Sequence, residues 1–310
     1  MLNNKAIAFI GKMSFSIYIW HQLILAFYRY FITNELTVIS TILFLVVVMA
    51  LSYITYRYVE QKIKTSKSVY ILFILCGLMN TLLGCLVYLK AGVVRDVPEL
   101  NITTENAHRG MHGEYCDRVY DYDKDFSQEV NGRINVLVVG ISYGRDMGNI
   151  LLESKYADSI NLSYVYKWDS QYINRIKDAD VILNFSPKIE VPDYVWSNKK
   201  QTTEVWGIGT KHFGLCNGVT YCHRFDDDYF ERTEPLHPIY KKINEEWAKQ
   251  WGDKYIDFIV MSQDDKGQIR VFTDDHKYIS QDCYHLTQAG AKWFANKINF
   301  EKILSHEITK

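Results

Sequence analysis

Two short stretches hold residue types that together could carry out acyl chemistry. The first is Val136-Leu137-Val138-Val139-Gly140-Ile141-Ser142-Tyr143-Gly144-Arg145-Asp146. Its apolar run ends in a glycine, and RDMGNILLES follows with helical spacing, so the pattern is strand, turn, helix. A serine in that turn stands at a strand's carboxyl end and a helix's start, where helix amides and the dipole favour developing negative charge. A hydroxyl is a weak nucleophile without a base in reach. Serine is also a favoured helix cap, and this segment taken alone fits the cap better.

The second stretch is Asp282-Cys283-Tyr284-His285-Leu286-Thr287, before the amphipathic run QAGAKWFANKI. Thr287 suits the cap of that last helix, which leaves His285 on the loop before it. An aspartate three residues ahead of a histidine can hold the imidazole in the tautomer a general base needs. A surface loop would also accommodate the pair. A serine turn opening and an Asp-His turn closing one α/β region are a far less frequent chance combination than either alone.

Those turns need a scaffold. INVLVVG (134–140), INLSYVY (160–166), DVILNFS (180–186), TEVWGIG (203–209) and YIDFIVM (255–261) read as short strands. Helical runs, notably PIYKKINEEWAKQWG and LTQAGAKWFANKI, lie between or after them. Strands alternating with helices predict a parallel sheet covered on both faces, an α/β/α three-layer sandwich, with chemistry at the strands' carboxyl ends. This domain is expected over residues 133–310, behind an irregular linking segment at 93–132. No repeat or low-complexity tract interrupts it.

The 310 residues carry a net charge near -1, and 48% of them are hydrophobic. There is no basic excess to neutralise phosphates, which argues against a nucleic-acid partner. The cysteines form no CxxC pair, and only Cys222-His223 hints at a ligand cluster, so no metal site is expected. Cys76 and Cys85 lie in an apolar run and suit burial.

Residues 1–92 differ in kind. Ile7 to Ile32, Thr37 to about Tyr56 and Ser68 to Leu89 are each long enough to cross a bilayer, which takes roughly 20 apolar residues. The first contains Lys12, His21 and Arg29, is rich in aromatics and lacks a small-residue cleavage site, so it does not read as a signal peptide. Three transmembrane helices are therefore expected. The loop YRYVEQKIKTSK carries Arg57, Lys62, Lys64 and Lys67, whereas TNEL carries only Glu35. By the positive-inside rule the basic loop is cytoplasmic, and the polar domain lies outside a bacterial cytoplasmic membrane. Cys216 and Cys222 could then close a disulfide.

With the turns GISYGRD and Asp-x-x-His-Leu-Thr and the strand DVILNFS, residues 134 to 300 resemble the SGNH (GDSL-like) hydrolase superfamily. The version resembled is the one fused to type-3 membrane acyltransferases. GKMSFSIYIWHQ (Gly11 to Gln22) and YRYVEQKIK (Tyr56 to Lys64) look like the closing helices of that membrane domain. The resemblance implies Ser142 as nucleophile, His285 as base and Asp282 as its orienting partner. It also implies an oxyanion site from the Ser142 amide and Asn184, although a strand-end asparagine binding its own backbone is the plainer reading. The loop Gly209-Thr210-Lys211-His212-Phe213-Gly214 looks characteristic of the fused versions and, with Arg145, implies a substrate groove. A glycine-flanked surface turn is the other reading of that loop. The superfamily usually places Asp or Asn where this chain has Ile141, and no glycine here matches its second oxyanion position. Only the last helices of the family's membrane domain match, so a partner chain supplying the rest, or a shortened gene product, is expected. His21 reads as a helix-packing histidine rather than the family's essential one.

The function expected is transfer of an O-acyl group, O-acetyl foremost, to a surface polysaccharide such as lipopolysaccharide or capsule, with no cofactor beyond the acyl donor. Water in place of the sugar would make the same residues an esterase. From a different class, the domain could be an inactive membrane-anchored glycan-binding partner of a separate acyltransferase. Ile141 favours that reading, and the intact serine and Asp-His turns oppose it.

Overall fold

The computed structural model describes residues 5–32, 36–61, 67–90, 98–101, 112–127, 132–214, 227–280 and 282–304. Two compact units emerge, one mainly of residues 1–89, the other mainly of 90–219 and 230–310.

The first unit is helical: α1 (Lys5–Lys12), α2 (Ser14–Phe31), α3 (Val38–Thr55) and α4 (Lys67–Leu89). Thr37 caps α3 by accepting the Ser40 N–H, and the helix continues into a π-helical turn, Tyr56–Glu60. Polar side chains tie α2 to that end of α3. Trp20 Nε1 donates to Thr55 Oγ1 at 2.8 Å, and Ser16 Oγ donates to Glu60 Oε1 at 2.5 Å. His21 bonds locally, its Nδ1 lying 3.2 Å from the Ile17 carbonyl oxygen and its Nε2 3.0 Å from Gln22.

Three spanning helices are not what results. Among the described residues one helix, Val38–Glu60 at 23 residues, is long and apolar enough to cross a membrane. The first expected segment breaks at Met13, and α2 keeps His21, Gln22 and Arg29. α4 runs over 23 residues, and among the described residues Ile74–Leu89 is a shorter apolar helical stretch within it. The basic residues Lys62 and Lys64 lie outside the described residues, as do Cys216, Cys222 and His223.

Among its described residues the second unit has a 3-10 turn at Pro98–Leu100, a short helix α5 (Gly113–Asp117), then β1 (Ile134–Val139), α6 (Ser142–Glu153), β2 (Ile160–Val165), α7 (Ile173–Asp178), β3 (Val181–Asn184), α8 (Asp193–Asn198) and β4 (Glu204–Ile208). Then come β5 (Thr233–Glu234), α9 (Pro238–Trp251), β6 (Tyr255–Ile256), α10 (Phe258–Ser262), β7 (Ile269–Arg270), α11 (Gln288–Lys297) and α12 (Phe300–Leu304). Five strands form a parallel sheet in the order β2-β1-β3-β4-β6, and β5 pairs with β7 antiparallel.

Both faces of the sheet are buried, so its strands are mostly apolar, with Asn135, Asn161 and Ser163 as polar interruptions. Val136 and Val138 pack on one side with Met147 and Ile150 of α6 and Phe294 of α11. Leu137 and Val139 pack on the other with Ile176 of α7, Val195 of α8 and Trp251 of α9. Four strands follow the apolar runs of the sequence. The fifth run does not: β6 stops at Ile256, because Asp257 accepts the Val260 N–H and starts α10.

Candidate active site

Ser142 is the first residue of α6, reached through a turn that requires glycine. Gly140 has φ +143°, and a Cβ there would sit 2.7 Å from Phe185 Cβ. Its N–H donates to the Val165 carbonyl and its carbonyl accepts the Tyr164 hydroxyl, at 3.1 and 2.8 Å. Gly144 lets α6 approach the end of β1, since a Cβ there would lie 3.1 Å from the Val139 carbonyl carbon. Ile141 occupies the N-cap position, and no side chain caps α6. Ser142 itself is half-buried, and the first amides of the helix have no acceptor within the helix.

The Asp282–His285 turn forms as expected. His285 Nδ1 lies 2.5 Å from Asp282 Oδ2. A carboxylate can only accept, so the ring proton sits on Nδ1 and the Nε2 lone pair is left for base chemistry. Asp282 Oδ1 accepts the amides of Tyr284 and His285, at 3.0 and 2.8 Å. Burial pushes the Asp282 carboxyl up, but the hydrogen bonds from the His285 ring and the two amides outweigh it and hold it down at about 2. Cys283 takes the left-handed conformation, φ +76°, that closes the turn. Thr287 caps α11 by accepting the Gly290 N–H at 3.0 Å.

This turn is fastened to the serine helix. The N–H of Leu286, next to His285, donates to Asp146 Oδ2 at 3.1 Å, and Asp146 lies one helical turn beyond Ser142. The spacing Ser-x-x-x-Asp was the available signal for that role, and sequence reading passed over it.

The other expected residues lie along the same sheet edge. The register aligns Val139 with Asn184 and Asn184 with Gly207, so the ends of β1, β3 and β4 are level. The sheet order reverses about β1, which makes this edge a switch point for ligand binding. Asn184 is 1% exposed; its Oδ1 accepts the Trp168 indole N–H at 2.9 Å, and its Nδ2 donates to Ser186 Oγ at 2.7 Å. Arg145 pairs with Asp117 at 3.2 Å.

The loop from Gly209 to Gly214 is not a surface turn, because all six residues are buried. Gly209 is required where a Cβ would lie 2.5 Å from the Ile256 carbonyl oxygen. Lys211 Nζ meets Asp146 Oδ2 at 2.6 Å, each side chain 1% exposed, and lies 3.8 Å from the centroid of the Tyr143 ring. Burial lowers the Lys211 pKa against the opposing pull of Asp146. His212 stacks on Tyr240 at 4.7 Å. Burial, with His237 nearby, drops its pKa to about 4, so neutral Nδ1 accepts the Gly214 N–H. Among the described residues no group of three His, Cys, Asp or Glu side chains could hold a metal ion.

No protein-family profile matches this chain, and no curated protein does. One solved structure is similar, the periplasmic domain of a lipopolysaccharide acetyltransferase of Salmonella ser. Paratyphi A. It is 16% identical, the match covers 64% of this chain and 95% of that one, and the TM-score is 0.40. A likeness that loose transfers no residue role.

Proposed function

We propose that this protein is a membrane-anchored O-acyltransferase whose extracytoplasmic SGNH-like domain moves an acyl group, O-acetyl foremost, onto a surface polysaccharide. The observation that carries the reading is the Asp282–His285 pair, held at 2.5 Å on a turn bonded through Leu286 to the helix that Ser142 begins. In this reaction His285 Nε2 takes the Ser142 proton as Oγ attacks the acyl carbonyl. The tetrahedral oxyanion develops at the uncapped amides of α6, with Asn184 as a further donor. Imidazolium returns the proton to the leaving group. A sugar hydroxyl then attacks the acyl-enzyme and gives its proton to His285, which restores the free serine. The acyl donor is the only small molecule required, and Arg145, three residues beyond Ser142, is assigned to donor or glycan contact. The helix Val38–Glu60 serves as anchor together with α4.

The test is acetate release from p-nitrophenyl acetate by the full-length protein in detergent, then acetylation of cell-surface glycan in its host. Release and glycan acetylation that both require Ser142 are expected. Release alone would make the protein an esterase, and neither would leave an inactive glycan-binding partner.

A further inference from the structure

The geometry points to Asp146 and Lys211 as a positioning pair that holds the His285 turn against the Ser142 helix. The inference rests on the Ser142–His285–Asp282 reading and adds to it the device that sets the distance between nucleophile and base.

Three contacts converge on these side chains. Asp146, one turn past Ser142, accepts the Leu286 N–H at 3.1 Å through the same Oδ2 that Lys211 meets at 2.6 Å. The Lys211 ammonium lies against the ring of Tyr143, the residue after Ser142. The backbone around Lys211 completes the brace. Its carbonyl accepts the Tyr143 hydroxyl at 3.2 Å, and two residues on the Phe213 N–H donates to the Cys283 carbonyl at 2.8 Å. One buried loop is therefore bonded both to the residue beside the nucleophile and to the turn that carries the base.

Stability alone is a poor account of the pair. Buried ion pairs lose most of their attraction to desolvation, and apolar residues of the same volume stabilise a core as well or better. Here the cost is raised further, because Asp146 Oδ1 is buried with no hydrogen-bond partner among the described residues. An apolar pair could not accept the Leu286 amide. A carboxylate can, and Lys211 supplies the charge that lets a carboxylate stay there.

Two double variants separate positioning from bulk stability in the full-length protein. Asp146→Asn/Lys211→Met removes both charges but keeps an oxygen for Leu286. Asp146→Leu/Lys211→Met removes the oxygen as well. Both should melt close to wild type. The Leu variant should turn over p-nitrophenyl acetate about 100-fold more slowly than the Asn variant at equal KM, the scale of a misplacement of about 1 Å. Hydrogen exchange at Leu286 should accelerate only in the Leu variant. Should the Leu variant fail to fold, Asp146→Glu keeps the charge and shifts the oxygen, and predicts the same loss of kcat and protection. Equal kcat and equal Leu286 exchange in the Asn and Leu variants, or an unaffected Asp146→Glu, would overturn the inference. If wild type itself releases no acetate, the acyltransferase reading fails separately, and exchange at Leu286 alone decides whether Asp146 holds the turn.

Discussion

Asp146 and Leu286 lie 140 positions apart in the chain, yet a 3.1 Å hydrogen bond joins the carboxylate of one to the amide of the other. It fastens the His285 turn to the helix begun by Ser142. The serine turn and the Asp-His turn thus come from opposite ends of the α/β domain and share one anchorage.

If these residues act as a unit, removing either reacting group costs nearly the whole catalytic gain. Ser142→Ala and His285→Ala should each reduce acetate release to background. Asp282→Asn should retain some rate, at a loss of about 10⁴-fold, because Asp282 orients the ring and stabilises imidazolium without reacting. Equal release by wild type and Ser142→Ala would remove Ser142 from the mechanism.

The Asp282 carboxyl, held at about 2, makes folding depend on acid. Its unfolded value is about 3.9, so the folded pKa is the lower one. The stability it contributes is complete above about pH 4 and drains away as pH falls through about 2. Denaturation of wild type and Asp282→Asn from pH 6 downward should show a gap that narrows only below about pH 4. A constant gap would mean that the carboxyl is not depressed.

The sheet was readable because burial on both faces makes β1 to β4 short, mostly apolar runs, which hydrophobicity reports directly. The Asp282–His285 contact was readable because three residues in one turn fix their own geometry. The run YIDFIVM misled because a short buried strand and a buried helical turn look alike, and only Asp257 as a cap breaks the tie. The membrane segments were overcounted because length was summed across the break at Met13. The Lys211–Asp146 pair was hidden for a different reason: a buried lysine must have a partner, but nothing local names it.

Gly290, in the first turn of α11, shows how tightly the His285 region is packed. A Cβ there would overlap the Ile279 carbonyl oxygen, whereas one at Gly113 would meet nothing within 4 Å. Alanine gains up to about 1 kcal/mol over glycine in a helix, which the clash exceeds, since overpacking costs about 1–3 kcal/mol or more. Gly290→Ala should lower Tm and Gly113→Ala should not. Equal melting of the two would contradict the packing of α11 on Ile279.

An extracytoplasmic domain requires α4 (Lys67–Leu89) to cross the membrane as well as Val38–Glu60, with the basic residues Arg57, Lys62, Lys64 and Lys67 near the cytoplasmic side. A reporter active only outside the cytoplasm should work when fused after Lys310, and one active only inside should work when fused near Lys64. The reverse pattern would put the Ser142 domain in the cytoplasm and rule out a surface glycan as its acceptor.

Ile141 is the residue at which the resemblance and the geometry can be set against each other. It is 43% exposed at the N-cap of α6, and no side chain accepts the first amides of that helix. Aspartate at an N-cap stabilises a helix by about 0.5–2 kcal/mol over an aliphatic residue, through a hydrogen bond and the dipole. Ile141→Asp should therefore raise Tm by a few degrees, roughly 2–4 °C per kcal/mol in a domain of this size. Its effect on rate decides a second point. An added carboxylate beside the oxyanion amides would slow acyl transfer if it competed for them. It would leave the rate equal or higher if, as the resemblance implies, it supports the nucleophile's turn, and that is the outcome expected. Ile141→Asn separates the two contributions, because it offers the cap oxygen without the charge. Stabilisation by Asn equal to that by Asp would assign the gain to the hydrogen bond. No stabilisation by either would mean that the α6 amides are already satisfied, and they could not then serve as the oxyanion site.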